Sequence, residues 1–167
     1  PRVFTGNVAE SIPFLNRAGV RAFYAEGRAR WGFDAPRIWL ASQLLFNSGQ
    51  SSKRLLKDFY EGYFRESALP MRRFFEECER VWMNQPEPAV WLKFWLMPGQ
   101  AEIFPPEVWE KLESYLQQAE RQAKSQRVKE RLALVRADFD YAKAAVALYW
   151  AWKNVFQQPG YARALAS

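Results

Sequence analysis

The chain has 167 residues, is 49% hydrophobic and carries a formal net charge of +6. That is enough apolar material for one sizeable core, and too much for a disordered segment. It contains no histidine and a single cysteine, Cys78, which excludes a Ser-His-Asp or Cys-His site, the usual zinc sites and any internal disulfide within this chain.

In chain order the first signals lie at Ser11–Gly19. Ser11 can cap a helix, Pro13 fits a first turn and Gly19 suits the left-handed position past the end. Residues 19–27, Gly-Val-Arg-Ala-Phe-Tyr-Ala-Glu-Gly, then read as a short buried strand with no second strand to pair with. A buried strand without a partner leaves backbone groups unsatisfied. The expectation is therefore that its sheet belongs to preceding sequence, and that this chain is the carboxyl-terminal piece of a larger protein.

Residues 28–33 read as a loop. Asp34 is the expected N-cap of a helix with Pro36 in its first turn, running to about Phe46 and stopped by Asn47-Ser48-Gly49. Ser51 or Ser52 caps a second helix through Phe64, with Leu55, Leu56, Phe59, Tyr60 and Tyr63 on its apolar face. Ser67 caps a third, to about Met83, in which Met71, Phe74, Phe75, Cys78, Val81 and Trp82 follow three-four spacing. On that stripe Cys78 reads as a buried structural thiol, with no histidine to activate it.

Residues 84–88 break the pattern, and Ala89–Met97 reads as a short helix holding Trp91, Phe94 and Trp95. Pro106 suits the first position of the next helix, which continues through Trp109, Leu112, Leu116, Ala119 and Ala123. The last helix spans about Arg127 to Phe156. One stripe is Val128, Leu132, Val135, Phe139, Ala142, Val146 and Tyr149; a second is Leu134, Tyr141, Leu148 and Val155. Beyond Asp140 this helix is apolar on most faces, so it is expected to be the most enclosed element. The fold class is mainly α: a bundle of five or six helices behind a short helix–strand unit.

The longest apolar run, Ala144–Trp152, is far short of a membrane span of about 20 residues. The basic residues Arg121, Lys124, Arg127, Lys129, Arg131 and Arg136 lie at roughly helical spacing without interleaved aromatics, which reads as a solvated face rather than a nucleic-acid stripe. Neither a membrane nor nucleic acid is an expected partner, and no cofactor is implied. The pairs Asp138/Asp140 and Glu76/Glu79 read as ordinary surface charge. The eight Trp, seven Tyr and thirteen Phe suit a thick helical core first and a carbohydrate or peptide groove second.

From Gly19 to Trp82 the order of motifs is distinctive: Gly-Val-x-x-Phe-Tyr-Ala-Glu-Gly, a Trp-containing helix ending Gln43-Leu-Leu-Phe-Asn47, Leu55-Leu-Lys-Asp-Phe-Tyr-Glu-Gly-Tyr-Phe64 and Ala68-Leu-Pro-Met-Arg-Arg-Phe-Phe75. This run resembles the bacterial family called domain of unknown function 4838, found in predicted glycoside hydrolases. Ile103-Phe-Pro-Pro-Glu107 and Arg131–Arg136 resemble the tail of that family. Two stretches depart from its pattern: Phe46-Asn47-Ser48 stands where Trp-Asp/Asn-Pro is common, and Phe64-Arg65-Glu66-Ser67 where Tyr-Gly-x-Ala is common.

The resemblance implies a (β/α)8 glycosidase barrel upstream, with residues 1–33 as its carboxyl-terminal end and 34–167 as an α-helical domain. The catalytic rim of such a barrel lies at the carboxyl ends of its strands. Glu26 would then be a catalytic candidate or a sugar ligand, its partner carboxylate lying outside this chain, or else a structural carboxylate in a salt bridge. Tyr24, Arg28 and Trp31 become candidate substrate contacts: Arg28 could hold a uronic-acid carboxylate and Trp31 could stack on a sugar ring. Trp91, Trp95 and Trp109 are further platforms, each weighed against plain core packing. The implied function is a helical domain of a carbohydrate-active enzyme, buttressing the barrel and lining the sugar cleft, with carbohydrate and the barrel as partners and a periplasmic or secreted location. The alternative is a helical protein–protein interaction module that uses the last helix to hold a partner or itself.

Overall fold

A computed structural model describes residues 2–24, 31–85 and 98–156. Among these the chain is helical: α1 (Thr5–Arg17), α2 (Trp31–Phe46), α3 (Ser52–Phe64), α4 (Ala68–Met83), α5 (Pro106–Gln122) and α6 (Gln126–Phe156), with 3-10 turns at Arg65–Ser67 and Pro98–Glu102. The expected strand is absent from the described residues. Val20, Phe23 and Tyr24 are exposed rather than buried, because no neighbouring strand is present there to close a ladder over them; residues 25–27 lie outside the described set. No described helix is long and apolar enough to cross a membrane.

Helix α1 begins six residues before Ser11, which lies in mid-helix. Its N-cap, Phe4, offers no side-chain bond. The missing cap comes from α4: Gly6 N–H donates to Glu79 Oε1 at 2.7 Å, and the Thr5 hydroxyl donates to Glu79 Oε2. A carboxylate at the positive end of a helix satisfies its free N–H groups and opposes its dipole. The carboxyl end follows local chemistry. Gly19 adopts φ 83°, and Gly19 and Val20 N–H groups donate to Asn16 and Leu15 carbonyls at 3.1 and 3.0 Å, the Schellman arrangement.

Helix α2 starts three residues before Asp34, which pairs with Arg37 at 2.9 Å from within the first turn. Position 33 therefore falls inside a helix. Helix α3 is capped by Ser51, whose hydroxyl accepts from Arg54 N–H. It ends at Arg65, held at φ 47° and ψ −115°, a conformation that costs an L-residue side-chain strain and suits glycine. This is the position where the resembled family commonly carries glycine. Ser67 precedes α4, but its hydroxyl donates across the bundle to the Ala119 carbonyl of α5 at 2.7 Å instead of capping. Pro106 opens α5 and Ser125 caps α6, accepting from Val128 N–H. Glu66 accepts from Lys124 and Ser125 N–H groups at 2.6 and 3.1 Å, and these bonds hold its carboxyl below the usual range.

The core forms where α4 meets α3, α5 and the first half of α6. Phe64, Met71, Phe74, Phe75, Cys78, Leu112, Leu116 and Phe139 are fully buried, and Phe74 meets Phe139 edge-on at 5.8 Å. Burial pushes the Cys78 thiol up to about 12, so it packs as an inert apolar group. A smaller cluster joins α1 to α2 and α3 through Ile12, Leu40, Leu44 and Leu55. The most enclosed element is α4, not the end of α6. Past Asp140 the last helix packs on the turn at 98–102 and reaches α5 through Lys143 and Glu113 at 3.3 Å, while Leu148, Trp150 and Trp152 are exposed. Among the described residues its apolar faces outnumber the elements that lie against them.

Candidate functional site

Helices α2 and α3 lie side by side and leave a cleft of about 350 Å³ along their outer face. On α2, Trp31, Ala35, Ile38 and Ser42 recur every three or four residues and so share one stripe, with Trp39 beside it. On α3, Asp58 and Gly62 form the matching pair and Phe59 and Tyr63 the floor. Gly62 keeps the cleft open: a Cβ built there meets nothing within 4 Å.

The aromatic wall is preorganised. Phe59 and Tyr63 stack at 5.0 Å and 15°, and Trp39 tilts against Phe59 at 6.2 Å while its Nε1–H donates to the Leu55 carbonyl at 3.4 Å. Behind Tyr63, the Arg131 guanidinium lies 4.2 Å from the ring centroid and donates to the Tyr63 carbonyl at 2.6 Å. Trp31 stands at the end of the cleft, 52% exposed, so its ring remains available to a ligand. The polar groups are few. Asp58 is half exposed with only a long contact to Arg54, 3.8 Å, and Ser42 donates to the Trp39 carbonyl at 2.8 Å, leaving its oxygen able to accept. Flat apolar rings with one carboxylate and one hydroxyl suit a ligand with apolar C–H faces and hydroxyl edges. One carboxylate does not make the flanking pair that glycoside hydrolysis uses.

Of the residues singled out from sequence, Trp31 lies in this cleft. Tyr24 does not: it is 89% exposed and follows the segment Val20–Phe23, which lines a separate groove against Asn16, Leu44 and Ser48. Glu26 and Arg28 lie outside the described residues, as do Trp91 and Trp95. Trp109 is core, donating from Nε1 to the Phe104 carbonyl at 2.9 Å and packing on Phe139 at 5.5 Å. Trp39, Asp58 and Tyr63 were missed by the sequence reading. The signal that could have found them is a glycine inside an otherwise regular amphipathic helix, one turn after an aspartate and beside two aromatics.

Glu76 and Glu79 share a second cleft with Tyr60, Lys57 and Arg72, but both are occupied structurally. Glu76 binds Arg72 at 2.7 Å and Glu79 caps α1. Tyr60, buried beside them, is pushed above its ordinary range, first by burial and then by the two carboxylates. Within the basic stripe Arg136 is equally committed, reaching Glu113 at 2.8 Å, Glu120 at 2.9 Å and Asp140 at 3.4 Å. The described residues hold no cluster of His, Cys, Asp and Glu able to bind a metal.

A family model described as domain of unknown function (DUF4838) matches residues 1–77. The match covers 77 of the 167 residues, and it is over that stretch that the chain is similar to the family. The matched region contains α1, α2, α3 and the first part of α4, and so both walls of the cleft. No curated protein and no solved structure matches the chain.

Proposed function

We propose that this chain is the helical portion of a glycoside hydrolase-like protein and binds carbohydrate without itself catalysing hydrolysis. The observation that carries this reading is the α2–α3 cleft, where Trp31 and Trp39 present ring surface above the Phe59–Tyr63 stack and Asp58 presents a half-exposed carboxylate edge. A sugar ring seated there would lay its axial C–H groups on the Trp faces and direct hydroxyls at Asp58 and Ser42. The body of the bundle would buttress a barrel upstream, and the catalytic carboxylates would come from that barrel, with Glu26 a candidate member. A periplasmic or secreted setting fits this reading.

The test is affinity electrophoresis of the chain through gels containing a panel of neutral and uronic polysaccharides, followed by titration with oligosaccharides of whichever retards it. Trp31→Ala and Trp39→Ala should each weaken binding about tenfold or more. Gly62→Leu should obstruct the cleft without lowering the melting temperature, because a Cβ there meets nothing within 4 Å and leucine favours a helix interior over glycine. Absence of retardation by every polysaccharide, or retardation undiminished in Gly62→Leu, would overturn the reading.

A further inference from the structure

The exposed side of α6 carries a regular seam. Leu134, Tyr141, Leu148 and Val155 recur every seven residues, and Ala137, Ala144 and Ala151 each follow the preceding large residue by three. All seven are exposed. Four-three alternation sustained over three heptads is the a/d pattern by which one helix packs along another. Here it runs about 32 Å along the helix, on the side turned away from the buried stripe of Val128, Leu132, Val135 and Phe139.

We infer that this seam docks a second copy of the same chain, with the two α6 helices antiparallel. The sequence of the seam is complementary to its own reverse. When two copies run in opposite directions about a two-fold axis near Val146, Leu148 of one copy meets Ala144 of the other, Tyr141 meets Ala151 and Val155 meets Ala137. Each large side chain falls against an alanine, so the backbones approach closely without a void, and every contact is made twice by symmetry.

The flanking charges choose the same direction. Asp138 and Asp140 are the acidic residues beside the seam, both near its amino-terminal end, and residues 141–156 contain no carboxylate. A parallel pair would gather four carboxylates at one level, a repulsive arrangement. The antiparallel pair places Asp140 beside Asn154, whose amide can donate to it, and Asp138 beside Trp152. The proposal is independent of the carbohydrate cleft, which lies on α2 and α3.

Sedimentation equilibrium of the whole chain up to about 100 µM reads the association, and Leu148→Glu and Ala144→Glu address the seam. A dimer is expected, weakened about a hundredfold or more by either substitution, with the far-ultraviolet circular dichroism of each variant unchanged. A nitroxide at Lys129→Cys, an exposed position with Cys78 buried, reports the direction: about 50 Å between labels for the antiparallel pair and less than half that for a parallel one. A monomer throughout the concentration range overturns the inference. If that monomer also loses thermal stability on Leu148→Glu, another part of the same chain covers the seam. A dimer indifferent to both substitutions uses a different surface, and a short label distance excludes the antiparallel arrangement.

Discussion

The two halves of α6 differ in apolar content and in burial, and in opposite senses: residues 126–140 hold 7 apolar residues of 15 and residues 141–156 hold 13 of 16. From Gln126 to Asp140 the stripe Val128, Leu132, Val135, Phe139 is fully enclosed by α2, α3 and α5; from Tyr141 onward the continuation of that stripe is only half-buried and the second stripe is exposed, Leu148 by 71%. Hydrophobic spacing determines which residues share a face, but burial also needs an element to lie against that face. A helical stretch keeps its pattern but stays exposed wherever no described element lies against it.

Substitutions along α6 test this contrast most directly. Phe139→Ala should cost about 3–5 kcal/mol in urea unfolding, since the ring touches Phe74 and Trp109 and leaves a cavity. Leu148→Ala, measured at a dilution where the chain is monomeric, should cost less than about 0.5 kcal/mol. Equal losses would mean that the second half is as enclosed as the first.

Gly32→Ala addresses how closely α2 approaches the enclosed half. A Cβ there would lie 2.5 Å from both the Leu134 carbonyl oxygen and Asp138 Oδ2, and a backbone atom cannot swing aside. A loss of about 1–3 kcal/mol is expected in the same unfolding assay, against no loss for Gly62→Ala.

Acid should weaken the contact between α4 and α5, on which the enclosed half of α6 packs. Glu77 on α4 binds Arg80 at 2.7 Å and Lys111 of α5 at 3.1 Å; these partners, Arg80 foremost, hold its carboxyl at about 2. Its folded pKa lies below the unfolded value, so its contribution is complete above about pH 4.5 and disappears as pH falls toward 2. With both cations half exposed, the effect should be about 1–2 kcal/mol. Chemical unfolding of Glu77→Gln between pH 2 and 6 should show a correspondingly shallower loss; a profile parallel to that of the unmodified chain would remove Glu77 from the account.

The smallest expected effect is a gain. Arg65→Gly relieves the left-handed backbone at the end of α3 and should raise stability by about 0.5–1 kcal/mol, read as a higher melting temperature. No change would show that the Arg65 side chain offsets its own strain.

The same contrast explains what the sequence revealed. The ends of α3 and α5 were legible at Ser51, Phe64 and Pro106 because caps and first-turn prolines act within a few residues. The Schellman close at Gly19 was legible for the same reason. The start of α1 was not, because its cap is a side chain of α4. The strand expected over 19–27 rested on β-branched and aromatic content, which specifies a pleated surface only when something pairs with it. The exposure of Leu148 and Trp152 was illegible because burial depends on tertiary neighbours and not on the helix's own pattern alone. In the cleft, Trp31 was recognised as an aromatic beside a loop, whereas Trp39 and Asp58 become a site only when two helices are set side by side.

Glu79 gives the fold a temporal order. Its bond to Gly6 spans 73 positions, so the first turn of α1 is completed only after the chain has closed a long loop and lost the corresponding entropy. Amide protection at Thr5 and Gly6 should therefore develop late in refolding, after that of α3 and α4. The family match ends at residue 77, two residues short of that carboxylate. A polypeptide cut at that boundary would retain the sequence of α1 while losing the group that begins it, and its amino-terminal turn would fray.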